Sequence, residues 1–219
     1  MSKERIGLLG GTFNPVHNGH LHAAEAVRRR LGLRRVLFIP SYLPPHKQST
    51  EIASPEDRYA MVQLAVKDHP GFEASSMEID AQETSYAIIT LDKVQALHRD
   101  SRILFILGID AFLDFETWRS YRELLERCHF VVISRPGYRL DDARPALPPA
   151  YAETIFDLGT DGPLAEDILE RCRVLLLPID ALDISSTDIR HRIRLGQPIS
   201  GLVPDTVEFY IRKKRLYQE

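Results

Sequence analysis

Two histidines three residues apart, His17 and His20, follow the stretch Gly10-Gly11-Thr12-Phe13-Asn14-Pro15-Val16. Imidazoles at i and i+3 of a helix can face the same way. Both can donate hydrogen bonds to phosphate oxygens, and either can be cationic near neutral pH. Gly10 and Gly11 permit backbone dihedrals closed to residues with a Cβ, and they let a ligand approach the main chain. Exposed N–H groups in such a turn form an anion-binding concavity. The chemistry that fits is gripping and activating a nucleotide phosphate. His22 and His98 stand outside this pattern and read as bystanders.

The elements that must position these groups follow from the apolar pattern. Ile6-Gly7-Leu8-Leu9 predicts a short buried strand emptying into the glycine turn. A helix is expected from Asn18, a good N-cap residue. Its periodic residues are Leu21, Ala24, Val27 and Leu31, and Gly32 stops it. The helix N-terminus adds free N–H groups and a positive dipole end. Further strands are expected at Val36–Ile39, Phe72–Ile79, Arg102–Leu107, Phe130–Ile133 and Val174–Leu177. Ser54-Pro55-Glu56-Asp57 opens a helix to about Lys67, with a serine cap, a first-position proline and an acidic third residue. Other helices are expected at Ser85–His98, Thr117–Arg127, Leu164–Cys172, Ser186–Leu195 and Pro204–Arg215. Residues 138–162 are the least regular part. The alternation predicts an α/β fold, a Rossmann-like doubly wound parallel sheet with helices on both faces. Residues 1–219 read as one domain, with 184–219 as a small C-terminal helical elaboration. In open α/β sheets ligands bind beyond the carboxyl ends of the strands, where strand order reverses.

A formal net charge of −3 gives no global attraction to nucleic acid or to a membrane surface. Clusters such as Arg28-Arg29-Arg30 and Arg34-Arg35 read as solvated helix faces or ends. Cys128 and Cys172 form no CxxC pair, so neither a disulfide framework nor a zinc site is indicated. Both read as inert thiols in or near the core. The first residues carry no secretory apolar region and no stretch is long enough to span a bilayer, so a cytoplasmic location is expected.

His17-Asn18-Gly19-His20 matches the HxGH signature of a nucleotidyltransferase superfamily. The longer Gly10–His20 stretch resembles the bacterial nicotinate-mononucleotide adenylyltransferases. Ile184-Ser185-Ser186-Thr187-Asp188-Ile189-Arg190 is similar to a second motif of that family, ISSTxIR. Pro44-Pro45-His46-Lys47, Gly108-Ile109-Asp110, Trp118, Arg135-Pro136-Gly137-Tyr138 and the tail from Gly201 to Tyr217 also match. The resemblance covers nearly the whole chain.

That resemblance implies attack by the phosphate of nicotinate mononucleotide on the α-phosphorus of ATP, giving deamido-NAD and pyrophosphate. Such a transfer needs no covalent enzyme nucleophile; positioning and charge stabilisation can carry it. His17, His20 and Arg190 would be the catalytic residues. The ATP phosphates and ribose would meet Gly10, Gly11, Thr12, Phe13, Lys47, Gly108, Asp110, Ser185, Ser186 and Thr187. Asn14, Thr84, Tyr86, Trp118 and Arg135 would meet the mononucleotide, with Trp118 stacking on the pyridine ring. Asp110 can alternatively cap a turn, and the indole of Trp118 is equally good core material. Mg²⁺ would arrive bound chiefly to ATP phosphates. With no carboxylate cage in the sequence, no residue is assigned as a metal ligand.

One departure matters. Ser85-Tyr86-Ala87 stands where the family commonly has Ser-Tyr-Thr, so a hydroxyl near the pyridine carboxylate is missing. Thr84 is a candidate substitute at a different spacing. A nicotinamide-mononucleotide or dual-specificity enzyme therefore stays open, as does a catalytically silent nucleotide-binding regulator on the same fold. Exposed parts of 138–170 are available for a contact between copies of the chain.

Overall fold

The computed structural model describes residues 3–44, 52–159 and 166–218. In chain order the elements are β1 (Glu4–Gly11), α1 (Asn18–Leu31), β2 (Arg35–Pro40), α2 (Pro55–Val66), β3 (Phe72–Ala74), α3 (Met77–Ala81) and α4 (Ala87–Leu97). There follow β4 (Ser101–Gly108), α5 (Ile109–Phe112), α6 (Tyr121–Arg127), β5 (His129–Ile133), β6 (Ile155–Asp157), α7 (Glu166–Arg171), β7 (Val174–Leu177), α8 (Ser186–Arg194) and α9 (Asp205–Lys214). The strands make one parallel sheet in the order β3-β2-β1-β4-β5-β7-β6.

Strand order reverses between β1 and β4, because the chain runs outward from β1 to β3 and then returns to β1's other side. All strands are parallel, so their carboxyl ends share one edge of the sheet. Register sets Gly11 beside Pro40 and Gly108 beside Ile133. The loops that leave β1, β2, β4, β5 and β7 thus start at nearly one level.

Side chains alternate between two cores, as a period of two requires. Val36, Phe38, Leu104, Ile106, Val131 and Leu175 face one side, against Leu21, Ala24, Val27 and Leu31 of α1 and Met61, Val62 and Ala65 of α2. Ile189 of α8 and Val207 and Ile211 of α9 join that same core, which docks the C-terminal helices onto the α1 face. Ile6, Leu8, Leu37, Ile103, Phe105 and Phe130 face the other side, against Ile88, Leu91 and Val94 of α4 and Leu124 and Leu125 of α6. Both sheet faces are covered, which explains why the strands read as continuous apolar runs.

Several sequence expectations shift. The strand expected over 72–79 ends at Ala74, and Met77–Ala81 is a helix. Glu78 and Asp80 in its first turn suit a helix N-terminus better than an edge strand. The helix expected from 117 begins at Tyr121, because Ser120 takes a left-handed conformation (φ 57°) after a 3₁₀ turn at Phe115–Thr117. Irregular residues 138–162 hide a three-residue edge strand, β6, too short to show alternation. The helix expected from Leu164 is described from Glu166. At α1, His17 rather than Asn18 is the cap, and Gly32 closes the helix with φ 60°. Ser54 caps α2 as expected, its Oγ accepting from the Asp57 N–H at 3.0 Å.

Candidate active site

Gly10 and Gly11 do not supply the left-handed turn expected of them. Both continue β1, and the left-handed residue is Phe13, at φ 48°. Gly10 instead keeps its surface open: a Cβ there would meet nothing within 4 Å. That leaves room for a ligand against the main chain at the end of β1.

The two histidines pack ring on ring, their centroids 3.7 Å apart and the planes 30° off parallel. His20 Nδ1 accepts the His17 backbone N–H at 3.2 Å. An accepting Nδ1 puts the proton of neutral His20 on Nε2. The Phe13 ring abuts His20 edge-on at 5.0 Å and fixes its plane. Gly19 allows this packing, since a Cβ there would lie 3.0 Å from His17 Nδ1. His17 is 4% exposed. Burial, with the positive charge of Arg135 adding, pulls its pKa down to about 3. The expectation that either imidazole is cationic near pH 7 therefore fails for His17 in the free protein; it is neutral there.

The second motif arrives from the far end of the chain. Arg190 Nη1 donates to the Asn14 carbonyl at 2.9 Å, and Ser186 Oγ donates to the Pro15 carbonyl at 2.9 Å. Asn18 Nδ2 donates to the Gly201 carbonyl at 2.8 Å. α8 is thus tied directly to the loop between β1 and α1. Ser185 caps α8, its Oγ accepting from the Asp188 N–H at 3.1 Å. Thr187 is exposed in the first turn of α8.

Asp110 lies in the first turn of α5, directly beyond β4. Its Oδ2 faces Arg135 Nε at 3.3 Å, joining the β4 and β5 exits. A Cβ on Gly108 would come within 2.4 Å of Asp110 Oδ1, so a glycine is needed for the carboxylate to fold back. Ser134 Oγ donates to the Ile179 carbonyl at 2.7 Å and accepts its N–H at 2.8 Å, which binds the β5 exit to the β7 exit.

Thr84 bridges to Leu43 beyond β2, and Ser85 Oγ accepts the Tyr42 N–H at 2.9 Å. These bonds hold the 84–86 segment at the carboxyl edge. The Arg119 guanidinium sits 4.9 Å above the Tyr86 ring. Trp118 packs on Phe115 at 5.3 Å; it and Tyr86 are half-buried against the same core. Lys47, expected to meet phosphate, lies outside the described residues.

Asn14 is 5% exposed, and its Oδ1 accepts from the Ala53 N–H at 3.0 Å and the Tyr217 hydroxyl at 2.8 Å. Its side-chain oxygen serves as a junction of loop, α2 entry and C-terminal tail. Tyr217, beyond α9, reaches the β1 loop in this way.

Sequence reasoning missed Arg58. It is 1% exposed and donates to the carbonyls of Thr12 (2.8 Å), Ser41 (2.6 Å), Tyr42 (3.0 Å) and Ala53 (3.0 Å). One guanidinium thereby clamps the β1 exit, the β2 exit and the entry to α2. A signal was present: Arg58 falls in line with Met61, Val62 and Ala65, the buried stripe of α2. Glu78 was missed too. It bonds to Ser85 and Thr90, and burial pushes its carboxyl pKa up.

Taken together, the sheet edge at the β1/β4 reversal gathers imidazole and guanidinium groups beside the open main chain at Gly10. Among the described residues no three His, Cys, Asp or Glu side chains gather as a metal cage. This donor set suits phosphate oxygens.

A family model described as Cytidylyltransferase-like matches residues 8–192. A protein of Geotalea daltonii named probable nicotinate-nucleotide adenylyltransferase is 42% identical over 215 residues, covering 98% of this chain and 99% of that protein. One of Moorella thermoacetica with the same name is 40% identical over 221 residues, covering 98% and 92%. Among solved structures, Plasmodium falciparum nicotinic acid mononucleotide adenylyltransferase complexed with NaAD has a TM-score of 0.71 at 17% identity, covering 98% of this chain and 97% of that one. At that identity the likeness establishes the fold.

Proposed function

Because the chain belongs to the cytidylyltransferase-like family, we propose that it is a nicotinate-nucleotide adenylyltransferase, transferring AMP from ATP to nicotinate mononucleotide. A phosphate oxygen of the mononucleotide bonds to the α-phosphorus of ATP. The bond from that phosphorus to the bridging oxygen of the β-phosphate breaks, and pyrophosphate leaves with the electron pair. The products are deamido-NAD and pyrophosphate.

The observation that carries this reading is the bond from Arg190 to the Asn14 carbonyl, which brings the second motif onto the histidine loop. His17, His20 and Arg190 then act on one triphosphate. His20 Nε2–H donates to a phosphate oxygen. Phosphate charge near the buried His17 ring favours its imidazolium, so His17 gains its charge when the substrate arrives. The Arg190 guanidinium can hold phosphate oxygens in a bidentate manner. Backbone N–H groups at Gly11–Phe13 and the N-terminus of α8 add donors that need no reorganisation. Asp110 would accept from a ribose hydroxyl, and Trp118 would stack on the pyridine ring, with Tyr86 also meeting the mononucleotide. Mg²⁺, carried by the ATP phosphates, would neutralise charge on the leaving pyrophosphate. No helix among the described residues is long and apolar enough to cross a membrane, and a cytoplasmic site of action is part of this reading.

Pyrophosphate release with ATP and each mononucleotide tests the proposal. Release with nicotinate mononucleotide in clear excess over nicotinamide mononucleotide supports it. Equal rates favour a dual-specificity enzyme. Tight nucleotide binding without release favours a silent regulator.

A further inference from the structure

We propose that Arg119 is the residue by which this site prefers a pyridine mononucleotide bearing a ring carboxylate over its neutral amide. The inference rests on the proposed reaction and names how its second substrate is chosen. Arg119 directly follows Trp118, and its guanidinium carbon lies 4.9 Å from the centre of the Tyr86 ring. A cation is thus held on an aromatic face, a favourable placement in itself, at the rim of the segment tied to the β2 exit.

Its charge is available. Arg119 is exposed, and among the described residues no carboxylate lies within ion-pair distance of it. Arg122, three residues on, donates to the Tyr121 hydroxyl at 3.0 Å. Arg127 pairs with Asp92 and Glu123, at 2.6 and 2.7 Å, and Arg135 pairs with Asp110 at 3.3 Å. Glu78 and Glu83 line the same surface depression as Thr84 and Tyr86. Lys93 lines it as well, so an anionic ring substituent meets charge of both signs there. Ala87, which begins α4 next to Tyr86, has no hydroxyl to offer one.

The two candidate substrates differ by one group of nearly equal size, so shape cannot separate them well. Charge can. A guanidinium presents only donors. It meets both oxygens of a carboxylate but only the single oxygen of an amide, and the amide NH₂ would face it donor to donor. Hydrogen bonds to charged groups discriminate more strongly than neutral ones.

The test compares Arg119→Ala, Arg119→Glu and Arg119→Lys with the parent, reading the ratio of kcat/KM for nicotinate over nicotinamide mononucleotide. Each ratio is internal to one variant, so a change in folded fraction cancels. The ratio should fall about tenfold in Arg119→Ala and further in Arg119→Glu. Arg119→Lys should retain most of it, and the parent ratio should shrink as salt is raised. A ratio within twofold of the parent in both Arg119→Ala and Arg119→Glu overturns the inference. So does an equal loss on both nucleotides, since a charge reading the acid group cannot act alike on a neutral one. A parent that transfers adenylate to neither nucleotide refutes the proposed reaction as well; transfer with an unmoved ratio refutes this inference alone.

Discussion

Acidification should remove stability through His17. Burial holds its imidazole at a pKa of about 3, against the usual 6.5, with Arg135 pulling the same way. Between those limits the unfolded chain binds a proton at His17 that the folded chain does not. Stability from this group is therefore complete above pH 6.5 and is lost as the pH falls toward 3. The loss runs at up to about 1.4 kcal/mol per pH unit and reaches the order of 5 kcal/mol over the window. That is comparable with the whole stability of many domains. His129, lowered to about 4 chiefly by burial, adds a second loss with the same sign. The assay must isolate His17, so denaturant unfolding of the parent and His17→Asn is compared at pH 7, 6 and 5. Below pH 6.5 the parent should lose about 1 kcal/mol more per pH unit than the variant. Imidazole NMR of the ligand-free protein should show His17 and His129 rings that stay neutral down to pH 5, the His17 signal being the one lost in His17→Asn. Equal acid slopes, or a His17 resonance titrating near pH 6.5, would refute the reasoning. Phosphate should reverse the shift, so ATP binding near pH 6.5 should be accompanied by proton uptake, read as a buffer-dependent heat in calorimetry.

Other consequences concern the groups that hold the cleft together. Arg58→Met leaves four carbonyl acceptors without their donor, which should cost about 3 kcal/mol or more and lower Tm by about 10 °C; thermal unfolding checks it, and an unchanged Tm would deny the clamp. Gly108→Ala must displace the Asp110 carboxylate, 2.4 Å from the new methyl, and so disturb its pairing with Arg135. It should lower kcat/KM for ATP by about tenfold or more while leaving Tm within a few degrees, as steady-state kinetics and a melting curve would show.

The fold was legible wherever burial imposed a period. β1, β2, β4, β5 and β7 are covered on both faces, and each announces itself as a run of branched apolar residues. α1 was legible for the same reason, through Leu21, Ala24, Val27 and Leu31. Short edge pieces were not: β6 has three residues, and β3 stops where Ser75 and Ser76 lead into α3. His17 and His20 could be picked out from their spacing after the glycine turn, and Arg190 from the resemblance of Ile184–Arg190 to a family motif. Their protonation could not, since the pKa of His17 depends on burial that only packing reveals. Arg58 lay hidden because an arginine within a buried stripe is easily taken for a surface residue with its stem packed down. Its carbonyl partners come from two separate loops, after β1 and after β2. Tyr217 and Asn14 meet across 203 positions, a distance no local pattern spans.

The central claim is that groups from both ends of the chain act together on one triphosphate. Single-turnover AMP transfer by His20→Ala, Arg190→Ala and the double variant, each shown to be folded, tests it most directly. Each single substitution should slow transfer about a hundredfold. The double should be much less impaired than the product of the two, because donors on a shared charge do not act independently. A folded double variant with near-normal turnover, or losses that multiply fully, would contradict the account.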